Sequence, residues 1–370
     1  MTKRPSPRAK ASQLLLLLAV VAIAWFIVSN ASDNLARRHL TFGFGFLFER
    51  SNFDIPFRLV PWTVADTYGH ALVVSFLNTL LVASMSIVTA TLLGLFVGIM
   101  RLSSNWLVRN IALSFVEFVR NTPQLIQIIF WYVAVLQTMP PPRQSIQLPA
   151  GILFNIRGLY TPEPIMGASG PIFLLLALAA LCATPFVWRI RLRGMRVGAR
   201  ALILPIVAAG LLVAGIDHID VPTLKGFNIA NGTQIPPELA ALWVGLSIYS
   251  AAFIAEIVRG SIEAVPRGQS EAAAALGLRP GHRLFLIVLP QALRIMVPQL
   301  TSQYLNIIKS TTLGEVVAYP EVFQIFAGTV MQQASKEIET IIIVMAIFLA
   351  INLLTSAFMN WYNRRVALVE

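Results

Sequence analysis

Long unbroken apolar runs, separated by short polar segments, dominate the chain. Eight of them stand out: Gln13–Ser29, Ala71–Met100, a stretch around Thr122–Gln137, Pro171–Trp188, Ala201–Ile216, Leu239–Val258, Val297–Ala318 and Ile341–Trp361. A helix that crosses a bilayer needs about 20 mostly apolar residues. Transmembrane barrels instead show short strands of alternating polarity, which these continuous runs do not. The pattern therefore predicts an all-α polytopic membrane protein with about eight transmembrane helices. The first run follows Lys3, Arg4, Arg8 and Lys10. It is longer than the roughly 7–15-residue core of a signal peptide, so a retained anchor is favoured over a signal cleaved near Ser29-Asn30-Ala31.

Composition agrees with this pattern. Of the 370 residues 56% are hydrophobic and 12% charged, against roughly 25% charged in soluble domains. The net charge of +11 would raise nucleic acid as a partner in a soluble protein, but here the basic residues sort by side. With the N-terminus inside, segments 1–12, 101–120, 189–200, 259–296 and 362–370 hold 19 of the 28 Lys and Arg residues. Cytoplasmic loops carry this excess, so both termini are expected in the cytoplasm. The cluster Arg189–Arg200 reads as part of that signal. Cys182 is the one cysteine, so no disulfide forms within the chain. His39, His70, His218 and His282 lack ligand spacing, and no metal site is expected.

Two segments break the run of plain spans. Residues 105–120 mix Trp106, Leu107, Ile111, Phe115 and Phe118 with Arg109, Glu117 and Arg120, the pattern of an interfacial amphipathic helix. Asn121-Thr122-Pro123 ends it, because the residue before proline avoids the α region. In the long loop 259–296, Gln269–Leu276 is rich in helix formers. Gly277 suits a left-handed helix terminus, and Pro280 suits the first turn of a second helix. A helix–turn–helix projecting from the membrane is expected there.

Within that loop, Glu271-Ala272-Ala273, then Gly277 after three residues, then nine residues and Ile287-x-Leu289-Pro290, resembles the EAA loop of ABC importer permeases at all seven positions. Arg120–Tyr132 and Ile307–Phe323 resemble stretches of polar amino-acid permeases. Phe42–Leu47, with the long outer segment, resembles the first permease of general L-amino-acid importers, a two-permease system. The resemblance implies a five-helix type-I importer core over 71–138 and 239–361. It also implies contact of Glu271, Ala272, Ala273 and Gly277 with a cytoplasmic ATPase, coupled through Ile287, Leu289 and Pro290 to the next span. The chain has no GxxxxGK[ST] phosphate loop, so ATP and Mg would sit on separate ATPase subunits, and the chain binds no cofactor of its own. Other implied partners are a second, different permease subunit and a periplasmic amino-acid-binding protein. The layout is an N-terminal anchor and periplasmic segment (1–70), a permease domain (71–361, with an insert at 139–238 carrying an extra helix pair) and a tail (362–370).

Lys309 falls near the middle of its span, where an ammonium is costly and a functional role is the default reading. With Ser310, Thr311 and Thr312 it forms a candidate translocation-path group, the alternative being a tilted span in which Lys309 snorkels outward or pairs with Glu315. Gln124 and Gln127 share a helix face and either join helices or line the path. Glu256 and Arg259 read as a local ion pair. Two other function classes fit the sequence less well. An ion-coupled secondary transporter would need midplane ion sites, typically on repeated broken helices, and no repeat or spread of intramembrane carboxylates is present. Gly167-Ala168-Ser169-Gly170 resembles the GxSG of rhomboid proteases, yet that chemistry needs a base beside the serine and no histidine falls in a span.

Overall fold

A computed structural model describes residues 7–37, 42–187, 197–226 and 228–366. Each apolar run is helical. The helices are α1 (Pro7–Arg37), α2 (Tyr68–Arg101), α3 (Trp106–Arg120), α4 (Gln124–Ile129, continued by a π-helical turn Phe130–Leu136), α5 (Gly170–Val187), α6 (Val197–Ala214) and α7 (Pro237–Glu263). After them come α8 (Arg267–Ala275), α9 (Pro280–Arg283), α10 (Leu289–Ser310), α11 (Met331–Ala334) and α12 (Glu337–Val366). Among the described residues four helical stretches are long and apolar enough to cross a membrane: Tyr68–Arg101, Pro237–Glu263, Pro280–Val317 and Glu337–Asn363. Four shorter apolar helices occupy the remaining runs. The arginine cluster lies largely outside the described residues.

The centre of the bundle is the seam between α2 and α7, closed by glycines on α2. A Cβ on Gly94 would lie 2.5 Å from Ile254 Cγ2, and one on Gly98 2.8 Å from Val258 Cβ, so only hydrogen fits at either place. The Trp243 indole donates to Thr89 Oγ1 at 3.1 Å. The hydroxyls of Thr91 and Tyr304, 3.0 Å apart, join α2 to α10. Ala90, Ile254, Val258, Met296, Leu300 and Ile307 form the core between them. At the other end of α2, Phe46, Ile55 and Trp62 pack with Val322, Phe326 and Val344. There the Gly43 amide donates to the buried Glu339 carboxylate at 2.9 Å.

Helix α3 forms over the expected residues, and the Asn105 side chain accepts from the Leu107 amide at 2.9 Å to start it. It is more than an interfacial helix, because Ala112, Val116 and Val119 are buried where it packs against α2 and α7. Trp106, Leu107, Ile111 and Phe118 stay exposed.

The bundle is helical as expected, and the insert adds short strands that hydropathy did not predict. β1 (Ile146–Leu148), β2 (Ile152–Asn155), β3 (Gly158–Thr161) and β8 (Thr233–Ile235) form an antiparallel sheet in that order. β4 (Glu163–Met166) pairs with β5 (Ile216–Asp220), and β6 (Thr223–Lys225) with β7 (Asn228–Ala230). The pairing of Leu159 with Ile235 closes the insert at its base, just before α7, and the β4–β5 ladder closes the α5–α6 pair.

Candidate functional site

The loop folds as its spacing predicts: α8, a turn at Gly277 with φ +75°, then α9. No atom lies within 4 Å of where a Gly277 Cβ would stand, so the glycine is required by backbone conformation and not by close approach. Pro280 stands in the first turn of α9. The π-helical turn Leu284–Val288 then leads into α10, with Pro290 in its first turn. The helix runs unbroken from α9 through the π-turn into α10, so the missing N–H of Pro290 removes one helical hydrogen bond where the π-turn ends. Ile287 and Leu289 are half-buried.

The two alanines of the motif separate. Ala273 is 4% exposed, and its carbonyl accepts from the Leu278 amide at 3.1 Å. Within this chain Ala273 is thus packed by the loop itself, unlike Ala272. Glu271, Ala272, Ala275 and Leu276 face outward. Leu276 is 82% exposed, an apolar side chain at the tip that sequence reasoning passed over.

Of the candidate path residues, Gln124, Lys309 and Ser310 line one cavity of about 270 Å³ with Tyr249, Phe253 and Gln303. The Ser310 hydroxyl donates to Gln124 Oε1 at 3.2 Å, joining α10 to α4. Lys309 is exposed, and its expected alternative partner Glu315 does not reach it; among the described residues Lys309 forms no ion pair. Three candidates fall elsewhere. Gln127 is buried and donates to the carbonyls of Val119 (2.9 Å) and Thr122 (3.2 Å), bracing the break between α3 and α4. Thr311 and Thr312 turn back on the carbonyls of Ile308 and Lys309, where α10 gives way to a 3₁₀ turn, Thr311–Val317. Gln303, Asn306 and Ser310 recur at helical spacing on an apolar helix, a polar stripe that could have flagged the cavity from sequence.

A second cavity, lined by Arg120, Glu256, Gln299 and others, shares Phe253 and Gln303 with the first. Together they make one groove along α7 and α10. The Arg120 guanidinium sits 5.2 Å from the Phe253 ring centroid. Glu256 pairs with Arg259 as expected, and also with Arg101 of α2, while Arg259 reaches Glu263. The local pair is thus part of a chain of charges tying α2 to α7.

The polar turn after α10 carries a lock that the sequence concealed. Ala318 adopts φ +58°. Asn78 Nδ2 donates to the carbonyls of Phe57 and Pro320, each at 2.9 Å. The Tyr319 hydroxyl donates to the Asn78 carbonyl at 2.9 Å, and Thr79 Oγ1 accepts from the Val322 amide at 3.1 Å. Glu321, fully buried, accepts from the amides of Phe323 and Gln324 at 2.8 and 2.7 Å. Burial pushes its carboxyl up to about 8, with Glu315 adding to the rise and the two amides opposing it. Ser169 stands just before α5, its carbonyl accepting from the Ile172 amide at 3.0 Å. Among the described residues no base is hydrogen-bonded to its hydroxyl, so the protease geometry is not assembled.

This chain is similar to several known proteins. A family model described as "Binding-protein-dependent transport system inner membrane component" matches residues 178–368. "Putative amino-acid ABC transporter permease protein YhdX" of Escherichia coli (strain K12) is 44% identical over 99% of this chain and 96% of its own length. The general L-amino acid transport system permease protein AapQ of Rhizobium johnstonii is 42% identical over 99% of this chain and 94% of its own. Among solved structures, one titled "Crystal structure of an amino acid ABC transporter with histidines" superposes with TM-score 0.50 at 19% identity, covering 80% of this chain and 95% of that one. At that identity the likeness speaks for the fold alone.

Proposed function

This chain belongs to the binding-protein-dependent transport system inner membrane component family, among its amino-acid ABC transporter permeases, and from that premise we propose how it works. It forms one half of the pore of an ATP-driven amino-acid importer in the cytoplasmic membrane, with both termini inside. A second, different permease completes the pore. A separate ATPase dimer binds the loop 259–296 and carries ATP and Mg, and a periplasmic amino-acid-binding protein delivers substrate from outside.

The observation that carries this reading is the mechanical continuity from loop to cavity. Helix α8 presents Glu271, Ala272, Ala275 and Leu276 outward, while Ala273 seats it on the segment leading into α10. Helix α10 runs 22 residues, about 33 Å at 1.5 Å per residue, and ends beside Lys309 and Ser310. A push on the loop is thereby delivered to the cavity. The polar groove of Gln124, Gln303, Asn306, Lys309 and Ser310 supports a water-filled path, since an intramembrane ammonium without a carboxylate partner must face water or an anionic substrate group.

The test is ATP-driven amino-acid uptake by proteoliposomes holding both permeases and the ATPase, with the binding protein outside. Lys309→Met should leave the complex assembled and sharply reduce uptake. Full uptake by that variant at subsaturating substrate would remove Lys309 from the path.

A further inference from the structure

A larger cavity lies at the insert end of the bundle. Its volume is about 460 Å³, and four parts of the chain converge on it. Phe57 comes from the segment before α2, Tyr132 and Gln137 from the end of α4, and Glu238 from the first turn of α7. Arg157 and Gln234 come from the β2–β3 turn and β8. By the proposed topology this is the outer mouth.

Its charges are unusual. Arg157 and Glu238 line the same space, yet among the described residues neither forms an ion pair. Arg157 spends one donor on Asn228 Oδ1 at 2.7 Å, leaving the rest of a guanidinium with five N–H donors. Glu238 accepts from the Tyr132 hydroxyl at 3.2 Å, leaving acceptor capacity on a carboxylate. The Gln234 amide donates to the Arg157 carbonyl at 2.8 Å, which holds the β2–β3 turn against β8. A cation and an anion held apart across a cavity complement a small molecule bearing both charges. Pockets of roughly 300–1,000 Å³ are the usual size for small ligands. Beyond the two charges the polar lining is uncharged, with Gln137, Gln234 and Tyr132, and Phe57 adds an apolar wall.

We propose that this cavity is an outer binding site for a zwitterionic amino acid with an uncharged polar side chain, its carboxylate held by Arg157 and its ammonium by Glu238. The site rests on the amino-acid permease reading, and it is separate from the groove at Lys309. It would hold substrate at the outer mouth, on a surface built partly by the insert, and so gives the insert a role in transport.

The experiment uses the assembled transporter in right-side-out vesicles without binding protein. Ile156, which lines the cavity, is changed to cysteine in a Cys182→Ser background, and maleimide labelling from outside is followed as L-glutamine is added. L-glutamine should slow labelling. A charge-assisted hydrogen bond is worth enough that the half-protecting concentration should rise roughly tenfold or more in Arg157→Gln and in Glu238→Gln. Arg157→Lys should recover part of the loss, and Arg109→Gln, on the exposed face of α3 and away from this cavity, should change nothing. With 4-aminobutanamide, which lacks the carboxylate, protection should be weak and insensitive to Arg157→Gln. Labelling unaffected by L-glutamine, or protection indifferent to both charge substitutions, would overturn the site. ATP-driven uptake by the same transporter, once binding protein is added, separates the two readings: it persists if only the outer site is wrong and is missing if the permease reading is wrong.

Discussion

Two helix pairs in this molecule bury themselves in opposite ways. Helices α2 and α7 meet where Gly94 and Gly98 admit Ile254 and Val258 with no room for a methyl. Around them Ala90, Ala251 and Ala255 are fully buried. Among the described residues, helices α5 and α6 each bury one alanine, Ala177 and Ala208, and leave Ile172, Leu175, Ile206 and Val213 more than 60% exposed. Both pairs are apolar, so hydropathy cannot distinguish them. Without a hydrophobic drive between helices in lipid, close packing by small residues makes the interface. The first pair is a closely packed seam beside the cavity, and the second leaves much of its described surface unpacked by the rest of the chain.

The sharpest way to break that contrast is to crowd the seam. Gly94→Leu places a branched side chain where Ile254 already stands, and over-packing of this kind costs about 1–3 kcal/mol or more. Loss of the folded permease in size-exclusion profiles is expected, the largest effect of the series. Asn78→Leu should come next, because it strips the buried carbonyls of Phe57 and Pro320 of their donor. Unsatisfied buried groups cost about 1–3 kcal/mol each, so the thermal midpoint should fall clearly while the helix content stays the same.

Glu321 sharpens the comparison through pH. Its folded-state value of about 8 lies above the ordinary 4.5. The folded state therefore holds this proton more tightly than the unfolded chain does. The associated stability is fully present below about pH 4.5 and is lost as pH rises through about 8. Wild-type midpoints should decline across that window, and Glu321→Gln, which keeps the neutral form, should flatten the decline. On the α5–α6 pair, Ile206→Ala should do least, within about 0.5 kcal/mol, as expected for a side chain with few protein neighbours.

Much of this architecture is legible in the sequence, and the gaps have physical causes. The eight apolar runs and the loop could be read directly, because run length, glycine and proline act locally. The strands could not: β1 is Ile146–Leu148 and β8 is Thr233–Ile235, three residues each, too short to show alternation. The β3–β8 ladder also joins residues far apart in the chain. Ala273 looks like Ala272 in sequence, and only the returning segment after Gly277 decides which of them is covered. Gln127 was readable as a polar side chain in a span, but its role as a brace depends on the break before Pro123. Glu321 is one carboxylate in the turn after α10, and nothing local signals that the fold buries it completely.

In the proposed mechanism the loop's outward face docks an ATPase while its inward face holds the lever together. Co-purification of the ATPase with Ala272→Arg and with Ala273→Arg permeases, each checked for thermal midpoint, tests it directly. Ala272→Arg should lose the ATPase and amino-acid uptake while its midpoint matches wild type, and Ala273→Arg should lose both the ATPase and stability. An Ala272→Arg permease that retains its ATPase and transports at the wild-type rate would contradict the account.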